Sequence, residues 1–404
     1  MNLLVHDYGG YAFPLELSRE FARRGNVVNH LFVNLLATAR TNFGDDTNDP
    51  PNLKIRSVRM SPDYDRRKYA FHLRFWMNLG YAVRLLREVS RQRPDLVLSG
   101  NVPTEIQLPL CLLCSLRGIV FANWVQDFFS LAVKRLLSSK SRLLSLVIGN
   151  LYGAADRWIV RRSAVSIVIS DRFASVIDSW RLPQVSCAII PNWAPVEKLP
   201  AGSKDNAWVN RHGLASRFVF LYSGTLGLKH NPSLFLDLAR HFEPEEGVEV
   251  VVVAEGAGAE WLAAESTLQK RPNLRVLPYQ PADELPEVLA GADVLMAVLE
   301  KDAGDFSVPS KVLTYFCAQR ALLLAVPLQN LASRTVLEHE MGLVCEPDNP
   351  TGFFENARRL YDDAELREGM GARARRYAEE NFKIEVVADK FERALGISSR
   401  AAAP

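Results

Sequence analysis

The chain has 404 residues, of which 48% are hydrophobic and 23% are charged, and its formal net charge is +2. That length predicts two domains, and the near-neutral charge gives no global signal for nucleic-acid binding. The five cysteines are odd in number and scattered, which argues against a disulfide framework, and Cys111 and Cys114 lie in an apolar run typical of a core. The sequence shows no signal peptide and no uncharged stretch of the ~20 residues that a spanning helix requires, so we expect a cytoplasmic protein.

Short apolar runs alternate with helical segments along the whole chain. In the N-terminal half the predicted strands are 2–5, 27–33, 95–99, 119–123 and 165–170, with a predicted helix at 15–24. In the C-terminal half the predicted strands are 218–222, 248–254, 274–277, 294–298 and 321–326, and the predicted helices are 232–241, 259–269, 283–290, 310–318 and 351–361. Apolar strands without alternation, separated by helices, are typical of parallel sheets in α/β proteins. We therefore predict two doubly wound, Rossmann-like domains.

A proline-rich segment, 191–205, is the clearest linker between these domains. It places an N-terminal domain at 1–190 and a C-terminal domain at 206–375, with a frayed tail at 398–404. Ligands of doubly wound sheets bind outside the carboxyl ends of the strands. The candidate site residues are therefore those that follow the strands.

The loop after the predicted strand 218–222 combines small residues, a lysine and a helix start, in the order Ser223, Gly224, Thr225, Lys229, Asn231 and Pro232. Backbone N–H groups at a helix start suit phosphate, and a lysine adds a point charge. A tight strand–helix turn with a solvated lysine explains the same residues. A second pair, Gly256 and Gly258, follows the next strand but lacks the rest of a dinucleotide fingerprint.

Other polar residues stand at predicted element ends. Ser310 and Lys311 begin a helix, where a lysine opposes the helix dipole, and Asp127 follows a strand, either to act on a hydroxyl group or to cap a helix. Asp63-Tyr64-Asp65 has a D-x-D pattern, but its surroundings do not suit a metal. No other His, Asp and Glu residues cluster at ligand spacing, so no metal site is predicted.

Basic and apolar residues are interleaved in two N-terminal segments, 66–93 and 134–162. Basic heads with apolar faces favour docking on an anionic membrane surface. Helices with one face on the core and arginines in solvent would show the same pattern. Of the two interpretations we favour a peripheral membrane contact.

Several stretches occur in an order and spacing that carry a family resemblance, namely 191–193, 222–231, 254–258, 277–280, 308–315 and 377–382. Together they resemble glycosyltransferase family 4, which has the GT-B fold, and most closely its bacterial branch for exopolysaccharide, O-antigen and colanic-acid-type polymers. The resemblance covers nearly the whole chain and is strongest in the C-terminal half. It implies a C-terminal helix, at 376–397, that crosses back to the N-terminal domain.

The resemblance also implies an activity. The C-terminal domain would bind a nucleotide-sugar donor, most often a UDP-sugar, and the enzyme would transfer the sugar with retention, without a metal or another cofactor. The implied acceptor is a glycan or a polyprenyl-diphosphate-linked oligosaccharide, approached from the side of Gly9 and Gly10. No nucleic-acid partner is implied.

The implied site residues form two groups. The implied catalytic residues are Lys229, Lys311 and Asp127. The implied donor-binding residues are Ser223, Gly224, Thr225, Gly256, Gly258, Tyr279, Gln280, Asp305, Ser310 and Thr314. In this arrangement the loop 223–225 and the lysines face the diphosphate, the two glycines let the backbone approach the nucleotide, and the 279–280 pair lies near the base.

This sequence departs from the family pattern at several positions. Phe306 and Thr314 stand where the family commonly has two glutamates, Thr225 replaces an arginine, and Gln126 replaces a histidine. Asp302 or Asp305 would supply the missing acid. The departures leave two alternatives open: a UDP-sugar 2-epimerase of the same fold, or a catalytically silent scaffold in a membrane-associated assembly complex.

Overall fold

The computed structural model describes residues 1–34, 49–64, 70–138, 142–227, 230–301 and 309–397. By its internal contacts the chain divides into two compact units. The first unit comprises Met1–Asn192 together with the C-terminal segment that begins at Ile384, and the second unit comprises Trp193–Lys383. The division falls near the start of the segment read as a linker.

The first unit is built on a seven-stranded parallel sheet. Its strands are β1 (Asn2–Asp7), β2 (Val27–Val33), β3 (Leu53–Val58), β4 (Leu96–Gly100), β5 (Val120–Val125), β6 (Val165–Val168) and β7 (Cys187–Ile189). Their spatial order is β3-β2-β1-β4-β5-β6-β7. The order reverses between β1 and β4, and such a switch point opens a crevice at the carboxyl ends of the strands.

Helices cover the sheet of the first unit. They are α1 (Ala12–Arg23), α2 (Phe71–Gln92), α3 (Thr104–Arg117), α4 (Phe129–Ser138), α5 (Arg142–Arg162) and α6 (Asp171–Ser179). Helix α3 packs against α2 on one side and α5 on the other. The inward faces of these three helices close over one apolar core with the sheet, formed by residues such as Leu4, Tyr81, Leu85, Ile106 and Ile159.

The second unit is built on a six-stranded parallel sheet. Its strands are β8 (Phe218–Ser223), β9 (Val248–Val253), β10 (Leu274–Leu277), β11 (Val294–Val298), β12 (Ala321–Ala325) and β13 (Gly342–Cys345). Their spatial order is β10-β9-β8-β11-β12-β13, so the switch point lies between β8 and β11. Strand β9 is buried along its whole length, as a strand covered by helices on both faces must be.

The helices of the second unit are α7 (Ala207–Arg211), α8 (Ser233–His241), α9 (Ala257–Leu268), α10 (Leu285–Ala290), α11 (Ser310–Cys317), α12 (Leu331–Glu338), α13 (Pro350–Asp362) and α14 (Ala364–Asn381). Several begin at a side-chain cap. Asn206, Asn330, Asn349 and Asp363 each accept a hydrogen bond from a backbone N–H of the first turn. Such caps satisfy donors that the helix itself leaves free.

The predicted C-terminal helix 376–397 contains the end of α14 and the whole of a separate helix, α15 (Ile384–Leu395), with the break at Phe382 and Lys383. Helix α15 belongs to the first unit, where it packs on α1. Arg24 fixes this contact, since its Nη1 donates to Glu392 at 2.8 Å and to Asp389 at 2.6 Å.

Two arginines tie the segment read as a linker to the body of the second unit. Arg375 Nη1 donates to the carbonyl oxygen of Leu199 at 2.8 Å, and Arg320 Nη2 donates to that of Gly202 at 3.0 Å. This segment is therefore packed rather than free. Within the part of the chain that the structure describes, no helix is long and apolar enough to cross a membrane.

Candidate functional site

A loop follows β8 at the switch point of the second unit. Ser223 ends the strand, and the N–H of Gly224 donates to Val253 O, at the end of β9, at 3.0 Å. Gly224 has a φ of +142°, which L side chains rarely adopt, and a Cβ there would lie 2.9 Å from Cε of Lys311. Glycine suits this position because of its positive φ, and the side chain of Lys311 passes directly over the loop.

Lys311 lies half-buried in the first turn of α11, with its ammonium group against the Tyr222 side chain. Its Nζ lies 3.8 Å from the centroid of the Tyr222 ring and donates a hydrogen bond to the Tyr222 hydroxyl. Burial lowers the pKa of Lys311 from 10.5 to about 7. Among the residues that the structure describes, no carboxylate pairs with this ammonium. A half-buried cation at a helix start, with no anionic partner among the described residues, attracts a negatively charged ligand.

Two buried tyrosines hold the loop in place. The Tyr222 hydroxyl donates to the carbonyl oxygen of Thr225 at 2.7 Å. The Tyr315 hydroxyl accepts from the N–H of Ser223 at 2.9 Å and donates to its carbonyl oxygen at 3.0 Å. Burial raises the pKa of both phenols, so both stay neutral and serve as hydrogen-bonding braces.

The glycine pair after β9 allows close packing of two loops. A Cβ on Gly256 would lie 2.8 Å from the carbonyl oxygen of Leu226, and a Cβ on Gly258 would lie 2.7 Å from that of Gly227. The N–H of Gly258 donates to Leu226 O at 2.9 Å. Contact between the loops is thus a structural reason for both glycines.

The remaining predicted donor residues differ in their contacts. Tyr279 is 41% exposed, and its hydroxyl lies 2.7 Å from Oγ1 of Thr225. The Oε1 of Gln280 accepts a hydrogen bond from the indole N–H of Trp208 at 3.1 Å. Thr314 donates to the carbonyl oxygen of residue 311 in its own helix, at 2.7 Å, and Ser310 is exposed at the helix start.

The first unit has a small cavity beyond the ends of β4 and β5, with a volume of about 30 Å³. Its lining includes Thr104, Gln126, Asp127 and Asp156. Asp127 is exposed at the cavity mouth, and partial desolvation of its carboxyl group raises its pKa to about 6, with a smaller contribution from the charge of Asp156. Thr104 Oγ1 donates to Asp156 Oδ1 at 2.9 Å. The cavity has room for one or two water molecules or a hydroxyl group, and Asp127 is a stronger base than an ordinary aspartate.

The loop after β1 is organised by a buried aspartate. Asp7 accepts from the N–H of Gly9 at 3.0 Å and from that of Tyr11 at 2.6 Å, and Gly10 has a φ of +62°. Burial raises the pKa of Asp7 to about 7, against the opposing effect of these backbone donors. The loop therefore already has an internal acceptor for its N–H groups.

No group of three His, Cys, Asp or Glu side chains able to hold a metal occurs in the described ranges. Of the D-x-D pattern, Asp65 lies outside the described residues. The structure therefore gives the pattern no support as a metal site.

Comparisons with known proteins show what the chain is similar to. Residues 205–377 match the family described as "Glycosyl transferases group 1", and this range falls within the second unit. The chain is 24% identical over 307 residues to "Probable glycosyltransferase WbjE" of Pseudomonas aeruginosa, and the alignment covers 74% of each chain. The chain thus contains a domain similar to the group 1 glycosyltransferases, at residues 205–377.

Further relatives of this glycosyltransferase agree. The "Putative colanic acid biosynthesis glycosyl transferase WcaI" of Escherichia coli (strain K12) is also 24% identical over 307 residues, covering 74% of each chain. The solved structure of Anabaena Alr3699/HepE in complex with UDP and glucose matches with a TM-score of 0.70 at 11% identity, covering 98% of this chain and 100% of that one. The two parallel sheets and this likeness confirm the predicted GT-B fold.

The structure of the glycosyltransferase brings part of the predicted site together. Ser223, Gly224, Thr225, Tyr279 and Lys311 form one connected group at the switch point of the second unit. Lys229 and Asp305 lie outside the described residues, as do Asp302 and Phe306. Asp127 and the 9–10 loop belong to the first unit. The roles of all these residues in donor or acceptor binding stay predictions.

Sequence reasoning missed the two tyrosines that brace this loop. A signal for Tyr315 was present, because it stands four positions after Lys311 in a helix, and residues at that spacing share one face. Tyr222 ends an apolar strand and reads as core. The sequence contained no indication of Asp156, because the pattern of helix α5 does not reveal that this side chain lines the cavity beside Asp127.

Proposed function

We propose that this glycosyltransferase takes a sugar from a UDP-sugar, with retention of anomeric configuration and without a metal. The observation that carries the proposal is the half-buried ammonium of Lys311 above Gly224, which has no carboxylate partner among the described residues. Breaking a sugar–phosphate bond builds negative charge on the leaving diphosphate. A preorganised cation beside that group lowers the barrier, because it need not reorganise during the reaction.

The loop supplies the second element of the proposed phosphate site. Ser223 and Thr225 present hydroxyl groups, and the tyrosine braces keep the loop in one shape. Lys229, from the same loop, is expected to add a second positive charge in place of the metal ion that other transferases use. The proposal thus assigns charge neutralisation to side chains of the chain itself.

Uridine is the proposed base. Tyr279 offers a half-exposed ring beside the loop, and an aromatic ring suits stacking of a base. The HepE structure, which has the same fold, contains UDP. The ring of Tyr279 supports binding of a base in general, and the UDP in the HepE structure is the reason for choosing uridine.

The proposed acceptor is a glycan, or an oligosaccharide linked to polyprenyl diphosphate, in the synthesis of a bacterial surface polysaccharide. The printed name of WcaI, with its reference to colanic acid, supports a polysaccharide product. Asp127 is the proposed residue that accepts a hydrogen bond from the acceptor hydroxyl, since its raised pKa makes it a better acceptor for a proton.

A nucleotide screen tests the donor. Thermal unfolding is recorded with UDP, GDP, ADP and TDP, each with and without EDTA, because a ligand that binds only the folded state raises the midpoint. We expect UDP alone to raise it, with no effect of EDTA. Lys311→Met should remove the shift, and Lys198→Met, at an exposed lysine of the same unit, should retain it. A shift by another nucleotide, or one that EDTA abolishes, would contradict the proposal.

Retention is tested separately. The product formed from an α-linked UDP-sugar is examined by nuclear magnetic resonance, and the coupling constant of the new anomeric proton reports its configuration. An α linkage supports retention, and a β linkage rules it out.

A further inference from the structure

Three neighbouring helices of the first unit expose large apolar side chains to solvent. We define the outer helical face as the solvent side of α2, α3 and α5. Its exposed apolar residues, with their exposed fractions, are Trp76 (68%), Val83 (48%), Leu112 (45%), Leu116 (76%), Leu143 (72%), Leu146 (48%), Val147 (53%) and Leu151 (64%). Single exposed apolar residues are ordinary, but eight on one helical layer mark an interaction surface.

Helical spacing places these residues in stripes. Trp76 and Val83 are seven positions apart, and Leu112 and Leu116 are four apart. On α5, Leu143, Val147 and Leu151 recur every four positions. The opposite sides of the same helices bury the core of the unit. Each helix thus has one apolar face turned inward and a second apolar stripe turned outward.

The charge of this layer is strongly positive. Helices α2, α3 and α5 contain nine arginines and only three acids. Two of the acids, Glu105 and Asp156, are buried, and the third, Glu88, pairs with Arg91 at 2.9 Å. The outer helical face therefore presents aliphatic and aromatic groups in a field of positive charge.

We propose that the outer helical face docks on an anionic phospholipid bilayer. Leucine, valine and tryptophan side chains suit the boundary between headgroups and acyl chains, and arginines attract anionic headgroups. A second copy of the chain would bring two arginine-rich faces together, which repel each other. Nucleic acid would leave the aliphatic stripes without a suitable partner. Of these occupants, only an anionic bilayer matches both properties.

The biological purpose of this docking rests on the proposed lipid-linked acceptor, because docking would hold the enzyme at the membrane where such an acceptor lies. Its test uses neither donor nor acceptor. Failure of vesicle binding and failure of UDP binding are therefore separate results.

The first experiment removes apolar contact. Flotation with vesicles of phosphatidylglycerol and phosphatidylcholine is compared with flotation on phosphatidylcholine alone. The variant Leu143→Gln/Leu151→Gln should lower the partition coefficient, by roughly tenfold for each leucine. The matched control Leu268→Gln/Leu337→Gln changes two exposed leucines of the second unit and should bind like the unaltered protein.

The second experiment removes charge. Arg157→Gln/Arg161→Gln should lower binding by roughly fivefold for each arginine, and added salt should reduce binding of the unaltered protein. The control Arg359→Gln/Arg376→Gln alters two exposed arginines of the second unit and should have little effect. If the two double arginine variants lost vesicle binding equally, overall charge and not this face would direct binding, and the proposal would be overturned.

The third experiment measures tryptophan fluorescence and alters neither the charge nor the leucines of the outer helical face. Docking should shield Trp76 from acrylamide quenching and shift its emission to shorter wavelength, and Trp76→Phe should remove this change while leaving flotation largely intact. Absence of binding to anionic vesicles by the folded, unaltered protein would overturn the proposal. Sedimentation that shows a dimer weakened by Leu143→Gln/Leu151→Gln would assign the face to a second copy instead.

Discussion

Replacing Lys311 by methionine should stabilise the protein without ligand and abolish nucleotide binding. Burial lowers the pKa of Lys311 from 10.5 to about 7, so the folded state holds the charged form poorly. At 1.36 kcal/mol for each unit, this shift corresponds to about 4 to 5 kcal/mol of lost stability at or below pH 7. Methionine also loses the contact with the Tyr222 ring and hydroxyl, worth about 1 to 2 kcal/mol. A net gain of about 2 to 4 kcal/mol remains.

The pH dependence identifies the cause. Between pH 7 and 10.5 the unfolded chain keeps the proton of residue 311 and the folded chain releases it, so the stability of the unaltered protein rises with pH relative to Lys311→Met. The advantage of the variant should shrink by about 1.4 kcal/mol for each pH unit in this window. Urea unfolding of both proteins from pH 6 to pH 9 measures it. A gap that stays constant with pH, or a variant less stable than the unaltered protein at pH 7, would refute the reasoning.

Nucleotide binding should depend on the same proton. A diphosphate supplies the anion that Lys311 lacks among the described residues, so binding should raise its pKa and take up a proton above pH 7. UDP affinity should therefore fall as pH rises above 7, by up to tenfold for each unit. Calorimetry in buffers of different ionisation enthalpy detects the proton uptake, and a UDP affinity independent of pH would exclude Lys311 from the phosphate site.

Three further predictions concern other parts of the chain. Asp127→Asn should lower turnover at least tenfold with an unchanged UDP shift in thermal unfolding, and the activity of the unaltered enzyme should rise with pH through about 6, which a pH–rate profile measures. Gly258→Ala should cost about 1 to 3 kcal/mol in urea unfolding, because its Cβ would lie 2.7 Å from a carbonyl oxygen, whereas Gly153→Ala, in an open helical position, should cost nothing. Arg24→Ala should leave the buried carboxylate of Glu392 unpaired, cost about 3 kcal/mol and expose helix α15 to limited proteolysis; proteolysis at an unaltered rate would contradict this.

The strands in the middle of both sheets and one edge strand, β10, could be predicted from sequence, whereas the strands at the other three edges could not. The predictions at 27–33, 274–277 and 294–298 match β2, β10 and β11 to the residue. Strands β3, β7 and β13 were missed, and each lies at the edge of its sheet. An edge strand has fewer buried positions: β3 alternates polar and apolar residues with both lysine and arginine, and β7 has only three residues. The continuous apolar signal of a central strand is absent there.

The candidate site was predictable where residues are neighbours in sequence. The loop 223–225 could be identified because a strand, two small residues and a helix start follow each other along the chain. Its contact with Lys311 joins positions more than eighty residues apart, and no local pattern encodes it. Similarly, Gly256 and Gly258 suggested approach to a ligand, and the structure shows that each also admits a carbonyl oxygen of the neighbouring loop. A glycine in the sequence indicates that another group approaches the backbone closely, but it does not identify that group.

The position of Lys311 links stability to function in one side chain. A lysine at a helix start opposes the dipole, and burial further disfavours its charge, so neither local preference explains its presence. Tyr222 offsets part of this cost with its ring and hydroxyl, and no carboxylate among the described residues offsets the rest. A carboxylate partner would stabilise the empty site, but it would also compete with a diphosphate for the ammonium. A neutral aromatic partner retains the cation while leaving its charge available to a ligand. A tyrosine partner is therefore what we expect in an anion-binding site. An aspartate or glutamate in contact with Lys311 would argue against such a site.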